Sequence, residues 1–383
     1  MQSLTAPPRD SLTATQIIAL ITGPTVTVST GLELLAQDLT VVQDISDDLL
    51  SGKVSRNCDA TIHGTVSLQL SRELSWGTDL VHPYVLLDPD GLAVRFDLGV
   101  FSLTTPEQTF AESPQTFACQ GYDRLYLLNR QVGDSYQVAA GTDVLTAVRQ
   151  AVSDAGLSGV LLDGSASGQT LPTAMVWPLV GQATDGSSTG PTTWLRIIND
   201  LLTTISYRGV WADWDGIFRS GPYVDPSVRG VEWTLDEGAT STIQGEDRTL
   251  TQDMWQTPNR WVFTQSNRDP AAAAPSEGDG IYTVNNVSDG PTSQDARGLV
   301  WAQQYTYDVS SQASLQALGD QRVAADKRVA SAWSLKGMGP LPTVWHYDVM
   351  TLMVAGGTYK VQGNSWDMDL ITGLIDYQLD GVG

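Results

Sequence analysis

The sequence predicts a mainly β protein with α/β parts, an α+β chain whose strands form barrels or sandwiches. Three observations carry this. First, apolar and polar residues alternate with period two. In "ATIHGTVSLQLSREL", Ala60 to Leu74, Ile62, Val66, Leu68 and Leu70 fall on even positions, and Thr61, His63, Thr65, Ser67 and Gln69 on odd ones. Second, turn chemistry separates such stretches, as in "DPDG" at Asp88 to Gly91. Third, only three segments carry the apolar stripe of an amphipathic helix.

From Thr25 to about Gly121 the chain reads as strands: "TVTVS", "DLTVVQDIS", the alternating stretch above, "VHPYVLL", "LAVRFDLGVFSL" and "QTFACQGY". Short strands with few helical patterns predict a barrel or sandwich. The character changes after Tyr122. "GTDVLTAVRQAVSDAG" reads as a helix with Thr142 as N-cap, Asp143 in the first turn and Gly156 as the stop. Its stripe is Val144, Val148, Ala151, Val152 and Ala155. "PTTWLRIINDLLTTIS" repeats the design, with Pro191 at the entry and Trp194, Ile198, Leu201 and Ile205 on one face. Between them, Leu161 to Gly190 reads as a long loop with a short strand near Met175 to Leu179. "GVWADWDGIFRSGPY" reads as a hairpin turning at Asp215-Gly216.

A third region opens at about Gly245. "NRWVFTQS" is a strand, "RDPAAAAPSEGDG" a small-residue loop, and "SSQASLQALGDQRVAADKRVASAW" a helix capped by Ser310 or Ser311. Leu315, Leu318, Ala325, Val329 and Trp333 are its expected face. Strands return in "VWHYDVMTLMV", "GTYKVQGNSWDMD" and "GLIDYQL". These last strands echo the order strand, tight turn, long strand, loop, closing strand found from Tyr84 to Asp123. Two similar barrels in one chain would produce such an echo. The expected division is residues 1–121 as a first barrel, 122–244 as an α/β domain with two amphipathic helices and a hairpin, and 245–383 as a second barrel with an inserted helix near 310–334.

Composition sets the function classes. At 383 residues the chain is long enough for two or three domains. Lys plus Arg number 21 against 43 Asp plus Glu, a formal charge of −22. That balance opposes phosphate-tracking nucleic-acid binding and anionic membrane surfaces, both of which need clustered Lys and Arg. It permits a wall that repels DNA. No apolar run approaches the ~18 residues of a membrane span. The N-terminal stretch lacks the basic and long apolar regions of a secretory signal, so manufacture in the cytoplasm without export is expected. Cys58 and Cys119 are the only cysteines and read as buried free thiols on strands.

No catalytic constellation emerges. His63, His82 and His346 have no metal-ligand spacing, and His63 reads as a solvated or interface histidine on a polar strand face. "GSASG", Gly164 to Gly168, has Ala166 where a nucleophile elbow needs Ser. "DPDG" and "DWDG" lack the later ligands of a calcium loop. Asp213 and Asp215 are expected to share a hairpin face, a weak basis for glycosidase chemistry. No catalytic, cofactor-binding or metal residue is therefore assigned, and no cofactor. The 12 tryptophans read mainly as core or domain-joint packing, with Trp194 and Trp333 placed on helical faces.

Several stretches, in order, resemble the minor tail proteins of actinobacterial siphophages that form the tail-tip (baseplate) hub. They are "DLGVFSL" followed by "YDRLYLLNRQ", a capped helix after "AGTDV", "WLRIINDLLTTISYRG" leading into "VWADWDGIFRSGPYV", "PNRWVFTQSN", and the ending "LPTVWHYDVMTLMVAGGTYKVQGNSWDMDLITGLIDYQL". The resemblance covers nearly the whole chain. It implies two related β-barrel hub domains plus smaller helix-containing domains, assembled as a homotrimer in the virion tail tip. It further implies as partners the distal tail protein ring, the tape-measure protein and other minor tail proteins, with DNA passing through the channel without specific binding. Many hubs carry a C-terminal enzymatic or receptor-binding extension. This chain ends at Gly383 after its last barrel strand, so on this reading other proteins supply wall degradation and adhesion. The rival class is a tail-tip adhesin whose aromatics bind host cell-wall glycan. An enzyme comes third.

Overall fold

The computed structural model describes residues 13, 16–17, 27–75, 78–88, 94–109, 115–179, 191–237, 247–255, 257–265, 280–307, 309, 312–328, 331–339, 345 and 347–382. The "DPDG" turn, most of the small-residue loop, the helix cap at Ser310 or Ser311, Val329, His346 and Trp76 lie outside the described residues.

The first strands described are β1 (Thr27–Leu35), β2 (Val41–Asp44), β3 (Leu49–Asn57), β4 (Gly64–Leu70), β5 (Leu80–Asp88), β6 (Val94–Asp97), β7 (Phe101–Thr109) and β8 (Thr116–Asp123). β4 shows the expected alternation, with Val66, Leu68 and Leu70 buried and Ser67 and Gln69 exposed. The strand is shorter than the pattern, because Asn57 N–H bonds the His63 carbonyl and makes 58–63 a turn. His63 is thereby removed from the polar face. Burial first, and then the nearby Arg56 guanidinium, push its pKa down to about 3. Of the expected solvated or interface histidine, the solvated form does not hold: His63 is largely shielded.

The α/β part follows: α1 (Leu125–Leu128), β9 (Tyr136–Val138), α2 (Val144–Asp154), β10 (Val160–Leu162), β11 (Met175–Trp177), α3 (Trp194–Thr204), β12 (Trp211–Ala212) and β13 (Phe218–Ser220). Asp143, not Thr142, caps α2. Its carboxylate accepts the Thr146 N–H at 2.8 Å from extended backbone, as an N-cap does. Gly156, at φ +76°, stops the helix as expected. The whole predicted stripe of α2 is buried against α3, in a core that runs from Leu125 to Phe218. Trp194 is only half-buried, edge-on to Tyr136.

The remaining elements are β14 (Trp233–Asp236), β15 (Arg248–Thr251), β16 (Arg260–Gln265), β17 (Ile281–Asn285), α4 (Gln294–Arg297), β18 (Ala302–Tyr307), α5 (Gln312–Arg328), β19 (Ala332–Met338), β20 (Val349–Val354), β21 (Gly357–Asp369) and β22 (Ile375–Gly381). β16–β18 form a separate small sheet, with β16 central. Helix α5 covers it through Leu315 and Val323, close enough that a side chain at Gly319 would meet the rings of Tyr282 and Phe263. Trp333 lies not on this helix but on β19, in the main core.

The mainly β class holds, but the barrels are not separate objects. Among the described residues fourteen strands form one sheet, in the order β15-β19-β22-β21-β3-β4-β8-β7-β5-β1-β2, with β14, β20 and β6 alongside. The long strand β21 makes this possible. It pairs with β20 and β22 and, through Ser365 to Asp369, with β3. Among the described residues no strand pairing closes either half into a barrel. One apolar core draws on both halves, from Leu32 to Leu379. Cys58 and Cys119 are buried, and burial pushes their pKa values up to about 12 and about 11.

Candidate functional site

The chemistry-bearing residues concentrate where the α/β part meets the sheet. There β8 ends at Asp123, Arg124 follows, and both charged residues are buried. Asp123 accepts the Gly64 N–H at 2.7 Å and the Leu125 N–H at 3.0 Å, so it ties the start of β4 to the start of α1. Arg56, on β3, stands 3.6 Å from this carboxylate and donates to the Ala212 carbonyl at 2.9 Å. Its guanidinium lies 4.1 Å from the Trp345 ring centroid. Arg124 donates to the Gly216 carbonyl at 2.7 Å and the Ser158 carbonyl at 3.2 Å. The hairpin β12–β13 is thus gripped by Arg56 of the sheet and by Arg124 just beyond it, and His82 of β5 adds a bond to the Trp214 carbonyl at 3.1 Å. Burial pushes the Asp123 carboxyl up to about 6, although Arg56 pulls the other way.

The hairpin turns at Asp215-Gly216 as expected, but its two aspartates do not share a face. Asp213 is fully buried, accepts the Asp215 and Ile217 N–H groups at 3.0 and 2.8 Å, and pairs with Arg219. Asp215 is exposed. The tight turn needs one carboxylate inside as its template, and this separates the pair.

A second polar cluster lies beside the joint. Arg95 forks onto Glu33 at 2.5 and 2.6 Å and holds Asp97 at 2.7 Å, over the Tyr84 ring at 4.1 Å. Burial works against ionised Glu33, yet bonds from Arg95 and His82 win and hold its pKa at about 2. A depressed carboxyl pKa adds stability above the unfolded value of 4.5 and loses it as pH falls toward 2. Glu33→Gln is therefore expected to lower stability most above about pH 5, with the gap to wild type narrowing steadily toward pH 2. Chemical denaturation across that range measures it, and a gap independent of pH contradicts the assignment. His82, Asp97 and Asp215 bring ligand atoms within 4.8 Å of one another. Arg95 holds Asp97, and His82 Nε2 faces the Trp214 carbonyl, so both side chains are also tied into the joint.

Next to the joint opens a cleft of about 360 Å³, lined by Arg208, Trp211, Trp214, Arg219, Arg229, Glu232 and Asp348 among others. Trp345 forms part of its floor, edge-on to Trp214 with centroids 5.7 Å apart. Most other indoles are packing residues, as expected. Trp177 and Trp261 are buried and donate to Asp200 and Asp326. Trp255 and Trp301 are exceptions and are exposed.

Sequence reading missed Arg56, Asp123 and Arg124. One signal was available: Arg56 shares the inward face of its strand with Val54, and a charge on an apolar face calls for a buried partner.

No family model and no characterised protein sequence matches the chain. Solved structures do. The fold is similar to a tail protein from Neisseria meningitidis MC58, with TM-score 0.61 and 11% identity over 92% of this chain and 96% of that one. It is similar to the 43 kDa tail protein of prophage MuSo2 from Shewanella oneidensis, with TM-score 0.58 and 12% identity over 91% and 98%. A chain of the PdpA-VgrG complex, lidless, gives TM-score 0.52 and 9% identity over 94% of this chain and 65% of that longer one. The chain therefore has a fold seen in phage tail proteins.

Proposed function

We propose that this chain is a structural, non-enzymatic protein of a siphophage tail tip: a trimeric hub that joins the tail tube and distal tail ring to the tip. One observation carries the reading. The likeness to two tail proteins runs over more than 90% of both chains in each pair, so the whole architecture is shared and not one module of it. In this reading residues 1–121 and 245–383 supply two barrel-type ring-forming units, and residues 122–244 supply the α/β unit between them. Two such units in each of three chains make a pseudo-six-fold ring. Heterologous contacts that return on themselves close it. The buried joint then keeps the α/β unit at a fixed angle to the ring. Counting copies of this chain per virion tail tests the trimer: three are expected, and six or more overturn it.

The ring surrounds the exit path of the tape-measure protein and DNA. A conduit must pass a polyanion without holding it, and cationic walls would bind phosphates through counterion release. The charge of −22 suits a repelling wall. Binding of double-stranded DNA at low salt is therefore expected to be no tighter than that of a neutral control protein in a gel-shift titration. Tight, salt-sensitive binding would remove the protein from the passive-conduit class.

A further inference from the structure

We propose that His82, Asp97 and Asp215, with the Trp214 carbonyl, form a binding site for a divalent transition-metal cation at the joint. This goes beyond the tail-tip reading and does not depend on it. The three side chains bring one ligand atom each within 4.8 Å of one another. His82 Nε2 stands 3.5 Å from Asp97 Oδ1 and 3.1 Å from the Trp214 carbonyl oxygen. Two ligands held by one such cation at about 2.0–2.2 Å lie roughly 2.8–3.6 Å apart at angles between square and tetrahedral, so these are the separations of neighbouring ligands. His82 and Asp97 come from β5 and β6 of the sheet, Trp214 and Asp215 from the turn of the β12–β13 hairpin. The first two are buried and Asp215 is exposed, so a cation can enter from the Asp215 side.

The surroundings of His82 ask for a positive centre at this point. On the Nδ1 side stands Glu33, with Oε2 at 3.6 Å, and His82 helps to keep that carboxyl ionised. Arg95 Nη2 approaches Nδ1 at 3.4 Å but is directed onto Glu33 Oε2 at 2.6 Å. Glu33 therefore draws the imidazole proton to Nδ1 and leaves the lone pair on Nε2. There Nε2 faces two acceptors, the Trp214 carbonyl and Asp97 Oδ1. Three converging acceptors need a cation among them, either a second imidazole proton or a metal ion. Asp215 adds a further carboxylate, which a single N–H cannot serve and a metal ion can. A carboxylate behind the ring of a ligating histidine is the usual support of a metal site. Arg95 steadies Asp97 in the same way, donating to its Oδ1 at 2.7 Å. One nitrogen among oxygens favours Zn²⁺ or Mn²⁺ over Mg²⁺ and Ca²⁺, which take oxygen ligands. Bound there, the ion pins the hairpin turn to the sheet.

The test strips the full-length chain with EDTA, exchanges it into chelator-free buffer and titrates it separately with Zn²⁺, Mn²⁺, Mg²⁺ and Ca²⁺. Calorimetry reads the stoichiometry, and the melting temperature reads the stabilisation. One equivalent of Zn²⁺ is expected to bind saturably and to raise the melting temperature, with Mn²⁺ weaker, as the usual order of divalent affinities requires. Mg²⁺ and Ca²⁺ at the same concentration should leave the melting temperature unchanged. His82→Gln and Asp215→Asn should each weaken Zn²⁺ binding by about tenfold or more. Asp215 is exposed, so its variant should fold even if His82→Gln does not, and melting curves without metal establish folding for each. Asp134→Asn, which removes an exposed carboxylate outside the cluster, should leave binding unchanged. Absence of a one-equivalent site for Zn²⁺ overturns the proposal. So does Zn²⁺ binding that the folded variants retain, which is adventitious surface binding. Mg²⁺ or Ca²⁺ binding as tightly as Zn²⁺ overturns it as well, because the histidine then plays no part.

Discussion

Arg56→Met is expected to lower stability by about 3–5 kcal/mol, the usual cost of removing one partner from a buried ion pair. The side chains of Arg56 and Asp123 are each no more than 2% exposed. Methionine fills similar volume, so the loss comes mainly from electrostatics and lost bonds. The Asp123 carboxylate keeps its two backbone N–H donors but loses the cation that offsets its burial. The Ala212 carbonyl loses its donor. Arg56→Met combined with Asp123→Asn should cost clearly less than the sum of the two single changes, because the second change removes the charge that the first stranded. Urea denaturation of the four proteins completes the cycle. A loss below about 1 kcal/mol for Arg56→Met would mean that the pair is worth no more than an exposed one.

How much of this was legible in the sequence depends on the range of each interaction. Local signals read well. Period two gave β4, β16 and β22 their places, the stripe of α2 was named residue by residue, and Asp215-Gly216 marked its hairpin. Local competition read less well. Thr142 and Asp143 are both good caps, and only backbone geometry chooses between them. Long-range pairing read worst. Nothing local in "GNSWDMD" says that Ser365 to Asp369 will pair with β3, about 310 residues earlier, yet that pairing turns two expected barrels into one sheet. The joint was invisible for the same reason. Asp213 looks like any turn aspartate until Arg219, Arg56 and Arg124 are brought round it by the fold. The aromatic cleft shares this property, since its lining spans Arg208 to Asp348.

Gly216→Ala is the second large effect expected, and Gly290→Ala is its control. Both glycines have positive φ, +76° and +71°. A non-glycine residue held there costs about 1–2 kcal/mol. At Gly290 an added Cβ meets nothing within 4 Å, so only that cost applies. At Gly216 the same atom falls 2.9 Å from Val100 Cβ and 3.1 Å from Arg124 Cδ. Neither neighbour can move freely. Val100 is buried, and Arg124 is tied to the Gly216 and Ser158 carbonyls. Overpacking of this kind adds about 1–3 kcal/mol, for a total of roughly 2–5 kcal/mol at Gly216. The damage should be local to the joint, because the α/β core and the sheet core are built from different residues. Hydrogen exchange should therefore accelerate first along β12 and β13, with the amides of α2 and of β21 affected last. Equal losses for the two variants would show that the hairpin turn is not wedged against the sheet. Loss of protection spread evenly over both cores would show that the joint is not a separable element of the fold.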